Sequence, residues 1–118
     1  MKRLGLLRSA AACVGLICFT SACAAPRPAR VVSNPDPSGK IPAIKLSVQR
    51  SDMSVVAQLV KDLDSDDPAV RFYAIEGLER LTRETFGYRY FDDELERRPA
   101  LEKWDAWLSG WEAASRER

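Results

Sequence analysis

The chain of 118 residues contains no histidine, and its three cysteines, Cys13, Cys18 and Cys23, all fall within the first 23 positions. Residues 24–118 therefore form no internal disulfide and bind no zinc through Cys or His. They also offer no Cys or His as a catalytic nucleophile or base. Long apolar runs are missing too. The greasiest stretch, residues 9–22 (SAAACVGLICFTSA), falls short of the roughly 20 apolar residues of a comfortable membrane span. Carboxylates are plentiful, but no spacing sets two of them up for acid–base work, and the reading is of a non-enzyme.

The formal net charge of +1 hides three regions. Residues 1–22 carry Lys2, Arg3 and Arg8 and no acid. Residues 23–50 carry five bases against Asp36, and residues 51–118 carry ten bases against sixteen acids. The part with folding potential is acidic, which argues against nucleic acid as a partner.

The leader divides into a basic segment, MKRLGLLR, and the apolar segment above, in the manner of a secretory signal. Thr20-Ser21-Ala22-Cys23 follows. This stretch resembles the lipobox of bacterial lipoproteins, with small residues at Ser21 and Ala22 before the cysteine. The resemblance implies that the Cys23 thiol receives diacylglycerol and that cleavage leaves Cys23 as the acylated first residue. Several acyl chains, at about 0.8 kcal/mol per buried methylene, make release from a bilayer negligible. Ala24 in place of aspartate after the cysteine implies, by the same resemblance, an outer-membrane destination. Two alternatives stay open. Ala22-Cys23-Ala24 also suits an ordinary signal peptidase, giving a secreted or periplasmic soluble protein, or the leader stays on as an anchor. All three readings place the domain outside the cytoplasm.

Residues 24–39, AAPRPARVVSNPDPSG, hold four of the seven prolines and little apolar surface. They read as an extended, disordered tether, partly polyproline II, reaching on the order of 50 Å at about 3.1 Å per residue. Residues 23–39 are thus expected to link a leader at 1–22 to a helical domain at 40–114, with a flexible tail at 115–118.

From Lys40 the apolar spacing becomes helical. Ile41, Ile44 and Val48 share one stripe. Val56, Leu59, Val60 and Leu63 form the face of a second helix, which Ser51 or Asp52 can cap. Asp67 and Pro68 are an N-cap and first-turn proline for a third helix, whose buried face is Val70, Ala74, Leu78 and Leu81. Gly77 inside it costs about 1 kcal/mol against alanine and predicts close packing with a neighbouring helix. Thr85-Phe86-Gly87-Tyr88 predicts the end of that helix, with Gly87 as its left-handed cap. Tyr88, Tyr90 and Phe91 make an aromatic turn. Asp92 or Asp93 caps a last helix that Pro99 interrupts, with Leu101, Trp104, Leu108 and Trp111 on one stripe and Trp107 at its edge.

Leu59, Leu63, Asp67-Pro68-x-Val70-Arg71-x-x-Ala74 and Leu78 together resemble one HEAT-type repeat over residues 53–82. The resemblance implies two antiparallel helices meeting at an acidic turn, with Arg71 reaching polar groups of an adjoining turn and Ala74 letting the helices approach. It also implies a tendency toward protein binding. The expected fold is all-α, a small three- to four-helix HEAT-like bundle.

About 75 residues bury only about 60% of their unfolded surface, and repeats of this kind generally need about three units for a continuous core. The Trp-rich helix is therefore expected to fold back over residues 53–82, with Tyr88, Tyr90 and Phe91 closing the corner. A partner or second copy would supply any cover still missing.

The candidate interaction or packing residues are Asp67, Arg71, Trp104, Trp107 and Trp111, and the candidate lipidation site is Cys23. Asp62-x-Asp64-x-Asp66 starts like a calcium loop, but Asp67 stands where its glycine belongs and Tyr73 where its glutamate belongs. It reads instead as an acidic turn favouring the next helix's positive end. Glu76, Glu79 and Glu84 with Arg80 and Arg83 read as a solvated, paired face. No cofactor is called for. Two functions follow: a lipid-anchored helical adaptor that holds an envelope protein or a second copy of itself, and a lipoprotein whose aromatics stack on glycan.

Overall fold

The computed structural model describes residues 32–118, and all regular structure in that range is helical. Helix α1 spans Pro37–Gln49, a 3-10 turn covers Met53–Val55, α2 spans Val56–Asp62, α3 spans Pro68–Thr82 and α4 spans Glu94–Arg116. The leader and most of the expected tether, Cys23 included, lie outside the described residues.

Each helix starts on an aspartate or on a turn that an aspartate caps. The Asp67 carboxylate accepts from the N–H groups of Ala69 and Val70 at 2.7 and 3.4 Å, with Pro68 in the first turn. Asp93 accepts from the Glu96 N–H at 2.8 Å, and Asp52 accepts from the Ser54 N–H at 3.0 Å to start the 3-10 turn. Asp36 does the same for α1, accepting from the Ser38 N–H at 3.0 Å, and Pro37 follows it. The helical region thus begins at Pro37 rather than Lys40. Bonds from the Ser38 hydroxyl and then its N–H hold the Asp36 carboxyl below its ordinary pKa.

Two helix ends differ from expectation. α3 stops at Thr82, with Arg83 rather than Gly87 as its left-handed cap at φ 66°. The Thr82 hydroxyl donates to the Leu78 carbonyl at 2.7 Å and accepts from the Glu84 N–H at 3.2 Å. It thereby closes the last turn before Gly87 is reached. Gly87, at φ 73°, serves the following turn instead. α4 is one helix of 23 residues that passes through Pro99 and runs to Arg116, into the expected tail. Pro99 and Leu95, the residue whose carbonyl loses its donor, are both exposed, so the missing bond falls on the solvent side of the helix.

α3 is the centre, flanked by α1 and α2, and α4 packs on α2. Leu59, Leu63, Ala74, Leu78 and Trp104 are all fully buried in a single apolar cluster. A Cβ at Gly77 would stand 2.9 Å from Val48 Cγ2 of α1 and 3.2 Å from Leu59 Cδ1 of α2. The missing side chain therefore lets both neighbours close on α3 at one level. The C-terminal helix does fold back over the α2–α3 pair, through Trp104. The corner is closed by Tyr88 and Tyr90, as expected, together with Phe86, whereas Phe91 stays 66% exposed.

One polar contact is deep in this packing. Lys40 Nζ lies 2.6 Å from Asp62 Oδ1, both side chains are buried, and Gln58 donates to the same oxygen at 3.1 Å. Asp62 is thus the last residue of α2 and ties down the start of α1.

Candidate interaction surface

Arg71 is buried on the second turn of α3. Its Nη1 donates to the carbonyls of Ser65 and Asp66 at 2.7 and 3.0 Å, and its Nε donates to the Tyr90 carbonyl at 2.9 Å. It joins the α2–α3 turn to the corner before α4, in the way expected of it. Arg97 holds only its own helix start, with Nη1 donating to the Asp92 carbonyl at 2.7 Å. The adjacent pair Arg97-Arg98 gave no hint that one of the two is buried. Asp67 is committed to its cap. Asp67 and Arg71 are therefore packing residues that fix the turn between them.

Tyr88 is buried behind the same turn, and its hydroxyl donates to the Leu63 carbonyl. Burial pushes this phenol up to about 12, a rise opposed by the positive charges of Arg97 and Arg71 and reinforced by Asp64 and Asp92.

The three tryptophans separate by role. Trp104 is wholly buried, and the Phe86 ring meets it edge-on with centroids 4.9 Å apart. Trp107 lies edge-on to Trp104 at 5.6 Å and stacks parallel to Trp111 at 6.0 Å. Both are half-buried. Trp104 is closed to a sugar, and Trp107 and Trp111 occupy part of each other's ring faces.

The acidic stretch offers no metal centre. Asp62 is held by Lys40 and Gln58, Asp67 by its cap, and among the described residues no group of His, Cys, Asp or Glu is placed to hold an ion. On the outer side of α3 Arg80 pairs with Glu76 at 2.8 Å, as the i, i+4 spacing predicts.

The open surface lies on α3 and the corner. Tyr73 touches Phe72, Phe72 touches Tyr90, and Tyr90 touches Phe91, each pair edge-on with centroids 5.1, 5.1 and 5.3 Å apart. Phe72 is 38% exposed and Leu95, just beyond Phe91, is 71% exposed. At its other end the strip runs into a groove between α1 and α3, with about 90 Å³ of room. Gly77 lies in its floor, Ile44, Val48 and Tyr73 line its walls, and Lys45, Gln49, Glu76 and Arg80 rim it. Lys45 Nζ sits 5.6 Å from the Tyr73 ring centroid and has no ion-pair partner among the described residues. The sequence reading named neither the groove nor Phe72. Pairing an exposed Phe72 with Tyr90 depends on the fold bringing together residues 18 positions apart, a juxtaposition that helical periodicity does not report.

Among the described residues no helix is long and apolar enough to cross a membrane. No protein-family model, curated protein or solved structure matches the chain.

Proposed function

We propose that this chain is a lipid-anchored protein of the bacterial cell envelope that works as a non-catalytic, HEAT-like protein-interaction module, held to the membrane through acylated Cys23. The leader supports the address: a basic start, an apolar segment and Ser21-Ala22-Cys23. The observation that carries the binding role is the aromatic strip, exposed at Phe72 and Phe91, continuing into a groove with a polar rim on a helical face. Contiguous exposed apolar surface with a polar rim is the mark of a protein-interaction site. Buried Arg71 and Arg97, by contrast, are engaged with backbone carbonyls, and Lys40 and Asp62 with each other. The glycan-binding alternative ranks second, because the most central tryptophan is core and the other two face one another.

Intact-mass analysis of the protein isolated from membranes tests the address. The expected species begins at Cys23 and carries the mass of a diacylglyceryl group, and Cys23→Ala leaves it unacylated. A chain that begins at Met1 and partitions with cytosol would overturn the anchoring. In-cell photocrosslinking from position 72 tests the binding role. A captured protein band that Phe91→Ala abolishes is expected, and a probe at position 72 that crosslinks to nothing would refute it.

A further inference from the structure

The strip has two unlike ends. At one end Phe91 and Leu95 project from an acidic run, Phe91-Asp92-Asp93-Glu94-Leu95-Glu96, and are 66% and 71% exposed. At the other end is the groove floored by Gly77, with apolar walls and a rim on which Arg80 is matched by Glu76 and Lys45 is the cation with no ion pair among the described residues. Beyond the rim, α1 and α3 end in Arg50 and Arg83, both exposed and neither in an ion pair among the described residues. At the acidic end Arg89 is matched by Asp92 at 2.8 Å and lies over the Phe91 ring at 5.5 Å, and Arg98 stands 3.6 Å from Glu94, which leaves Asp93 and Glu96 as the carboxylates of the run with no ion pair among the described residues. One surface therefore carries an acidic apolar knob and a basic apolar hole, joined by the chain of ring contacts through Phe72.

A surface with a knob and its complement side by side is self-complementary under two-fold rotation, because what one copy offers the other receives. We infer that this surface binds a second copy of the chain. Phe91 and its acidic neighbours of each copy enter the Gly77-floored groove of the other, with Lys45 facing Glu94 and the two-fold axis passing near Phe72. Charge pairing fixes the register: a parallel shift would set acid against acid. Each groove takes a single large side chain, so the energy concentrates on Phe91 as an aromatic anchor. The inference deepens the interaction-module reading by naming the partner. Anchoring two copies in one membrane raises their effective concentration and suits a contact of modest size.

The test is sedimentation equilibrium of the full chain in mild detergent, with wild type, Phe91→Ala, Lys45→Glu and Glu94→Lys. The wild type is expected to be a dimer in reversible exchange. Each variant is expected to weaken it at least about tenfold, the scale of a lost anchor or a like-charge contact. An equimolar mixture of Lys45→Glu and Glu94→Lys should associate again, because both contacts of the mixed dimer then join opposite charges. All three residues lie at the surface, so circular dichroism should be unchanged. A monomer at every concentration overturns the inference. So does a dimer indifferent to Phe91, the behaviour of two chains sharing a micelle, and so do two charge variants whose mixture stays apart. A monomer that still crosslinks in cells to a different protein refutes the second copy alone and leaves the interaction module standing.

Discussion

Lys40 Nζ and Asp62 Oδ1 are 2.6 Å apart, and the two side chains are buried between the first turn of α1 and the last residue of α2. Their bond is the polar link between an N-terminal segment that leads to the proposed anchor and the helix pair that carries the core. Removing one partner leaves the other charge buried and unpaired, which costs about 3–5 kcal/mol. Asp62→Ala and Lys40→Met should each lower the urea midpoint by that much stability. The double variant Lys40→Met/Asp62→Leu should lose less than either single change, since an apolar pair carries no desolvation cost. Equal losses in the singles and an additive double would show that the two charges do not interact.

Gly77 predicts a different kind of defect. Alanine there gains about 1 kcal/mol of helix propensity but places a methyl 2.9 Å from Val48 Cγ2 and 3.2 Å from Leu59 Cδ1. Overpacking of this sort costs about 1–3 kcal/mol, so Gly77→Ala should be a net loss. Val48→Ala frees the closer contact, and the pair Gly77→Ala/Val48→Ala should melt above the sum of its singles. A Gly77→Ala protein that melts higher than wild type would mean α1 is free to move away from α3.

The parts of this fold that were legible in the sequence are those decided within a few residues. Asp67-Pro68 marks a helix start from chemistry local to it, and it starts α3. Asp36-Pro37 is the same signal and starts α1, but it sits in a proline-rich context that reads as tether. Composition there outweighed a cap. Gly77 was legible as a close approach because a mid-helix glycine has a cost that packing must offset. Gly87 misled, since a threonine hydroxyl two residues from Glu84 closed α3 earlier and let Arg83 take the left-handed position. Pro99 misled because its effect depends on which side of α4 faces water. The Lys40–Asp62 pair and the Phe72–Tyr90 contact join positions far apart in the chain. Both needed the tertiary arrangement, as did the groove, whose lining brings Ile44 and Val48 of α1 against Tyr73 and Gly77 of α3.

Tyr88 should give the domain a pH limit on the alkaline side. The phenol is neutral when protonated, and burial raises its pKa from the ordinary 10.0 to about 12 in the folded protein. The stability that the neutral phenol contributes is fully present below the unfolded value. It is lost as pH rises from about 10 through about 12, because the unfolded chain gives up the proton first. Stability measured across that range should fall for wild type and fall less steeply for Tyr88→Phe. At neutral pH the phenylalanine variant should cost about 0.5–1.5 kcal/mol, for the lost bond to the Leu63 carbonyl. Parallel pH profiles for the two proteins would place the titration elsewhere.

The cover that α4 gives the helix pair rests on Trp104. Its ring is fully buried in the cluster with Leu59, Leu63 and Leu78, while Trp107 and Trp111 are half-buried. Truncating a buried tryptophan costs about 3–5 kcal/mol, so Trp104→Ala should lower the melting temperature far more than Trp107→Ala. Phe86 adds a local test, because it holds φ 52°, a conformation side chains seldom adopt, while its ring stays edge-on to Trp104 at 4.9 Å. Phe86→Gly relieves the backbone and removes the ring contact, whereas Phe86→Ala keeps the strain and loses the ring as well. If the surrounding backbone holds the turn in that conformation even without the ring, the alanine variant should be the less stable of the two, by about 0.5–1 kcal/mol. Equal melting temperatures would mean that the turn relaxes once the ring is gone, and that Trp104 rather than the backbone sets the shape of the corner.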